Sequence, residues 1–303
     1  MSSEAPVFDA LLPPAMAEKA AQAGVRKAQA GFTSLFALGV LAGAFIAIGG
    51  MFSTVSTAGA AGMLPYGVIR VIAGLAFGLG LIMVVVGGAE LFTGNTLIVM
   101  AFASGKVSLT ALLRNWAIVY ASNFVGAVLT AGLVFVTGHY TAGQGSVGLN
   151  ILAIGEAKTA LAFVPALAMG ILCNTLVCMA VWLCFSARTT TDKIMAIMMP
   201  IAAFVAASFE HSIANMYFIP LALFVKDGAP SAFWELIQKT PADYPHLTWA
   251  NFGANLVPVT IGNIIGGAVM VGLVYWLIYL SAKHRSDSTV PSASAAPAIA
   301  EKG

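Results

Sequence analysis

Apolar residues along this chain gather into six blocks, at about 33–57, 66–103, 112–136, 161–185, 193–225 and 255–280. Four of them approach the ~20 to 25 residues that a membrane-spanning helix needs. The blocks at 66–103 and 193–225 are longer, and as unbroken helices at ~1.5 Å per residue they would overshoot a hydrocarbon core of about 30 Å. Each of these two also turns polar near its middle, reading "GGAELFTGN" at 87–95 and "SFEHSIAN" at 208–215. A single span with a non-helical break accounts for both the excess length and the polarity. Irregular backbone is tolerated at that depth only where protein or a water-filled cavity covers it. The pattern predicts an all-α integral membrane protein of six transmembrane helices, with the second and fifth broken near 88–93 and 207–212.

Composition agrees. Of 303 residues, 59% are hydrophobic and 9% charged, and mean hydropathy is +0.92, values of a membrane protein. A net charge of +2 is too small to suggest a nucleic-acid partner. The expected partners are the lipid bilayer and a small solute. The N-terminal stretch lacks an apolar core after its charged residues, so no cleavable signal is expected there. It reads instead as an amphipathic arm over 1–30, with Leu11, Leu12, Met16 and Val25 as candidate packing residues. The pore domain is then 31–283, and the Ser/Ala/Pro-rich 284–303 reads as a disordered tail. Lys19, Arg26, Lys27, Lys106, Arg114, Arg188, Lys193, Lys283, Arg285 and Lys302 fall on one side of such a topology. Arg70, Lys158, Lys226 and Lys239 fall on the other, which puts both termini in the cytoplasm. Cys173, Cys178 and Cys184 share one apolar helix without a zinc spacing and are read as free buried residues. No metal or cofactor motif is present.

The two halves repeat. Glu90 precedes Asn95 by five residues, as Glu210 precedes Asn215. "SNFVGAV" at 122–128 matches "GNIIGGAV" at 262–269, and "LAGAFIAIG" in the first block has a counterpart in "LAMGILCNTL" in the fourth. Three spans per half, with the broken one in the middle, give repeats of opposite orientation: an aquaporin-like inverted 3+3 arrangement. That arrangement belongs to transporters and channels whose site lies near the midplane. Gly126, Gly262, Gly266 and Gly267 would permit close helix packing.

A helix break exposes the N-terminus of its second half, where free N–H groups attract anions. Thr93 and Ser212 are the expected caps of those ends. Glu90 and Glu210 are expected to hold the breaks by accepting bonds from freed backbone N–H groups. His211 is the one side chain there that titrates near neutral pH. Phe77, Leu81, Leu91, Phe92 and Phe204 cluster around the breaks as constriction residues, where a neutral molecule passes more readily than a charge. Asn174 and Asn263 either tie helices together or face the path. These features suggest a pore for a small anion, or for a weak acid crossing in neutral form. An intramembrane enzyme using His211 and Ser212 is disfavoured, since adjacent helical side chains do not face each other and no H-E-x-x-H or other catalytic spacing occurs. No catalytic residue is assigned.

"FEHSIANM", "GAELFTGN", "PVTIGNIIGG" and the N-terminal "FDALLPPAMAEKA" together resemble the formate/nitrite transporter family, above all its formate channels, over about residues 7–283. The resemblance implies a homopentamer in a bacterial inner membrane with one pore per protomer. It also implies a central pore histidine at His211, partnered by Thr93, with Asn174 and Asn263 in the pore wall. Lys158 corresponds to a lysine that draws anions to the outer mouth. The expected substrate is formate, with nitrite, hydrosulfide, acetate or lactate as the alternatives. Glu90 departs from the shorter Asp expected at that position.

Overall fold

The computed structural model describes residues 10–281, and among these it contains helices and no strand. The expected tail at 284–303 lies outside the described residues. The chain opens with α1 (Pro13–Ala28), whose small residues Ala17, Ala20, Ala21 and Gly24 are buried. Of the residues expected to anchor it, Met16 is buried, Leu11 and Val25 pack partly, and Leu12 is exposed. Leu12 precedes the first helical turn and faces away from the buried stripe.

Helix α2 (Phe32–Ser56) leads to α3 (Tyr66–Gly87). The first long block breaks at 88–91 and resumes as α4 (Phe92–Asn95), a 3₁₀ turn at Thr96–Ile98 and α5 (Val99–Ala103). Gly88 ends α3 at φ +84°, a conformation that disfavours any residue with a Cβ. Helix α6 (Leu109–Val136) starts at Ser108, whose side chain accepts from the Ala111 N–H.

The second half begins with a segment that lies between the apolar blocks at 112–136 and 161–185. It contains α7 (Ser146–Thr159), short and interrupted by glycines, hence without a spanning signature. Helix α8 (Phe163–Ser186) follows, and α9 (Thr190–Ala206) starts with a capping box between Thr189 and Asp192. The second long block breaks at 207–211 and resumes as α10 (Ser212–Gly228). After α11 (Ser231–Ile237), α12 (Trp249–Ile264) continues through a π-helical stretch at Ile265–Leu273 into α13 (Val274–Tyr279).

Four helices, α2, α3, α6 and α8, and the run 249–279 are each long and apolar enough to cross a membrane. Helices α9 and α10, at 17 residues each, fall short singly. Both breaks fall where the polar interruptions predicted them. Helix pairs within each half approach at backbone contact. A Cβ on Gly126 would lie 2.0 Å from the Val40 carbonyl, and one on Gly266 would lie 2.2 Å from that of Ile171. Only glycine admits either crossing.

Candidate functional site at the paired helix breaks

Both breaks are held by the same set of bonds. At the first, the Lys27 ammonium lies 2.7 Å from Glu90 Oε1, and Asn95 Nδ2 donates to Glu90 Oε2 at 2.7 Å and to Asn115 Oδ1 at 2.9 Å. Asn115 Nδ2 closes the ring by donating to the Lys27 carbonyl at 2.9 Å. At the second, Lys158 lies 2.8 Å from Glu210 Oε1, and Asn215 donates to Glu210 Oε2 at 2.6 Å and to Asn255 at 2.8 Å. Asn255 donates back to the Lys158 carbonyl at 2.9 Å. Glu210 is buried and Glu90 partly so, and each carboxylate is paired and multiply bonded, as a charge drawn out of water must be.

The freed backbone groups have other partners. Asn123 Oδ1 accepts from the Phe92 N–H at 2.9 Å while its Nδ2 donates to the carbonyls of Gly39 and Glu90. Asn263 does the same at the second break, accepting from the Ser212 N–H at 2.8 Å and donating to the carbonyls of Gly170 and Glu210. This corrects the expectation for Glu90 and Glu210, which accept from Lys and Asn side chains rather than from backbone N–H groups. The shape of the site explains it. One asparagine from a neighbouring helix satisfies a donor and two acceptors of the break at once, which a carboxylate, having no donor, cannot do.

The capping expectation also changes. Leu91 is the N-cap of α4 and makes no side-chain cap bond. His211 is the N-cap of α10, and its Nδ1 accepts from the Ala214 N–H at 3.0 Å. Thr93 and Ser212 each lie one position or more inside their helices. Thr93 instead faces the other break, with Oγ1 3.0 Å from His211 Nε2. Because Nδ1 is an acceptor, the neutral ring carries its hydrogen on Nε2 and donates it to Thr93. Both side chains are buried.

Two cavities approach the paired breaks. One, of about 330 Å³, lies on the α7 side and is lined by Phe77, Phe204, Lys158, His211 and Arg70. The other, of about 310 Å³, lies on the α1 side and is lined by Leu81, Leu91, Lys27, Lys19 and Lys193. The Lys19 amine is pushed below its usual value by burial, with Arg188 and Lys193 nearby. The Phe204 ring lies 5.7 Å from that of Phe77 and 6.0 Å from that of His211. Four of the five expected constriction residues therefore line a cavity. Phe92 lines neither; it packs against Tyr120 and Trp116 of α6, with ring centroids 4.9 Å and 6.2 Å away. Its place as first residue of α4 turns it outward.

Asn174 Nδ2 donates to the carbonyls of Asn263 (2.6 Å) and Thr93 (3.2 Å), so it ties α8 to α12 and to the first break. Asn174 and Asn263 line neither cavity. Lys158 is committed to Glu210. The sequence reading missed Lys27, Asn115, Asn123, Asn255 and Arg70. Asn123 was within reach, since it stands opposite Asn263 in the repeated motif. Asn115 and Asn255 each lie eight positions earlier in the same frame.

Two helix breaks joined across a buried histidine, with a cavity on either side, form the kind of arrangement that membrane channels and transporters build. A family model described as formate/nitrite transporter matches residues 14–277. The chain belongs to that family. It is 46% identical to the formate channel FocA of Escherichia coli (strain K12), over 90% of this chain and 96% of that protein. It is 41% identical to the formate channel FocA of Haemophilus influenzae, over 82% and 87%. A solved structure described as a pentameric formate channel with formate bound superposes with a TM-score of 0.78 at 47% identity, covering 82% of this chain and 98% of that one.

Proposed function

We propose that this chain conducts formate across a bacterial inner membrane, as a homopentamer with a separate pore in each protomer. Each protomer would cross the bilayer six times in two inverted halves, with both termini in the cytoplasm. The observation that carries this reading is the bond between Thr93 and His211, which joins the two breaks where the cavities approach. Kinship with proteins named formate channels supports formate as substrate.

In this reading formate displaces Thr93 as the acceptor of the His211 Nε2–H. A bare carboxylate among Phe77, Leu81, Leu91 and Phe204 carries a heavy desolvation cost, whereas formic acid does not. His211 first takes up a proton from the water of a cavity and then passes one from Nε2 to formate, which leaves the ring neutral and lets formic acid pass. In the imidazolium both ring nitrogens are donors, so the charged ring has to let go of the Ala214 N–H and turn. Loading the proton therefore unfastens the first turn of α10 each time.

The test is uptake of labelled formate into proteoliposomes between about pH 5 and 8. His211→Asn keeps a polar side chain at the cap but does not titrate. It should lose the pH dependence of uptake and retain at most slow flow. Unchanged rate and pH profile in this variant would rule out protonation at His211. Failure of the wild type to take up formate would redirect the substrate reading to another small weak acid.

A further inference from the structure

The α7-side cavity holds two cations, and their charges are in different states. Lys158 is 2.8 Å from Glu210, with side chains 16% and 4% exposed, and its ammonium also lies 5.6 Å from the centre of the Phe218 ring. Seen from the cavity, that pair is a dipole. Arg70, projecting from the first turns of α3, is partly buried and lines the same cavity. Among the described residues it has no carboxylate within ion-pair distance.

Its guanidinium instead spans the end of α9. Nε donates to the Ala206 carbonyl at 3.3 Å, and Nη2 donates to that of Val205. A helix C-terminus carries roughly half a negative charge, which leaves Arg70 with a net positive field. Two of its donors are used, and both N–H groups of Nη1 have no partner among the described residues. A planar guanidinium edge with free N–H groups matches a carboxylate better than an ammonium does.

We propose that Arg70 is the anion-capture residue of the α7-side cavity: a small monovalent carboxylate docks on the free edge of its guanidinium before it reaches His211. The proposal rests on reading this chain as a formate-conducting pore. It reassigns the attraction expected of Lys158, whose charge is neutralised within its ring of bonds. Because the same guanidinium holds the carbonyls at the end of α9, the docking point is fixed relative to the second break.

The test is formate uptake by the full-length protein in liposomes, as a function of formate concentration, at about 20 mM and about 1 M inert salt. The Debye length shrinks from tens of ångströms to about 3 Å across that range. For the wild type, the half-saturating concentration should rise several-fold with salt; a flat response overturns the proposal without any variant. In low salt Arg70→Gln should raise that concentration about 3- to 10-fold with maximal flux retained, and the difference should vanish at high salt. Arg70→Lys, which keeps the charge, should recover at least half of the loss. An Arg70→Gln defect of equal size at both salts, or confined to maximal flux, would mean that Arg70 only supports α9, and would overturn capture. A wild type that takes up no formate at either salt would defeat the pore reading itself, a result distinct from all of these.

Discussion

The two breaks are built alike and differ at one chemically consequential position. Ring for ring, Lys27, Glu90, Asn95 and Asn115 correspond to Lys158, Glu210, Asn215 and Asn255, and Asn123 corresponds to Asn263. The residue at the N-cap is Leu91 in one and His211 in the other. The shared bonds therefore solve a folding problem, how to interrupt a helix inside an apolar protein. The titratable group is a single substitution laid on that solution.

A second difference lies in the lysines. Lys27 comes from α1, is 33% exposed, and also reaches Asn95 Oδ1 at 3.0 Å. Lys158 comes from α7 and is more buried, and the matching Asn215 Oδ1 has no hydrogen-bond partner among the described residues. The histidine-bearing break is the more enclosed of the two and the less completely satisfied.

Substitutions break this comparison in a defined order. Lys158→Ala leaves Glu210 charged and unpaired, which should destabilise by about 3 kcal/mol or more, visible as a lower melting temperature in detergent. Lys27→Ala, at the wetter pair, should cost far less. The transport loss in Lys158→Ala should be the same at low and high salt, because structure and not steering is lost. Asn263→Ala strips a buried N–H and two carbonyls of their partner and should cost about 2 kcal/mol, as should Asn123→Ala; a large gap between them would contradict the equivalence of the two breaks. His211→Leu makes the second break resemble the first. It should lower stability by only about 1 kcal/mol, the value of one cap, while removing pH-dependent uptake. The smallest effect should be a gain. Ser208 stands where the first break has Gly88, at φ +60°, so Ser208→Gly should stabilise by up to about 1 kcal/mol. A loss of stability would show that the serine side chain supports the break.

Much of this was legible in sequence. Excess block length and mid-block polarity located both breaks, and the paired Glu–Asn spacing exposed the repeat. The Thr93–His211 pairing came from family resemblance, since no spacing links residues in separate halves. The lysines were illegible for a similar reason: they reach the carboxylates from α1 and α7, separate elements with no periodic tie to the breaks. The caps misled because Thr93 and Ser212 are good cap residues placed just past the cap. A histidine ring nitrogen and two asparagines from neighbouring helices took the bonds instead. Phe92 could not be told from its neighbours, because composition near a break does not say which way the first helical residue turns.

The cysteines bear on how this protein can be studied. The chain has three, and Cys173, Cys178 and Cys184 are all buried in α8. A thiol must be reachable by solvent to react with an alkylating or spin-labelling reagent. The native protein is therefore a nearly silent background for site-directed labelling. A single cysteine introduced at an exposed position such as Ser208 would be the one thiol readily open to water, and its modification rate would report access to the α7-side cavity without first rebuilding α8.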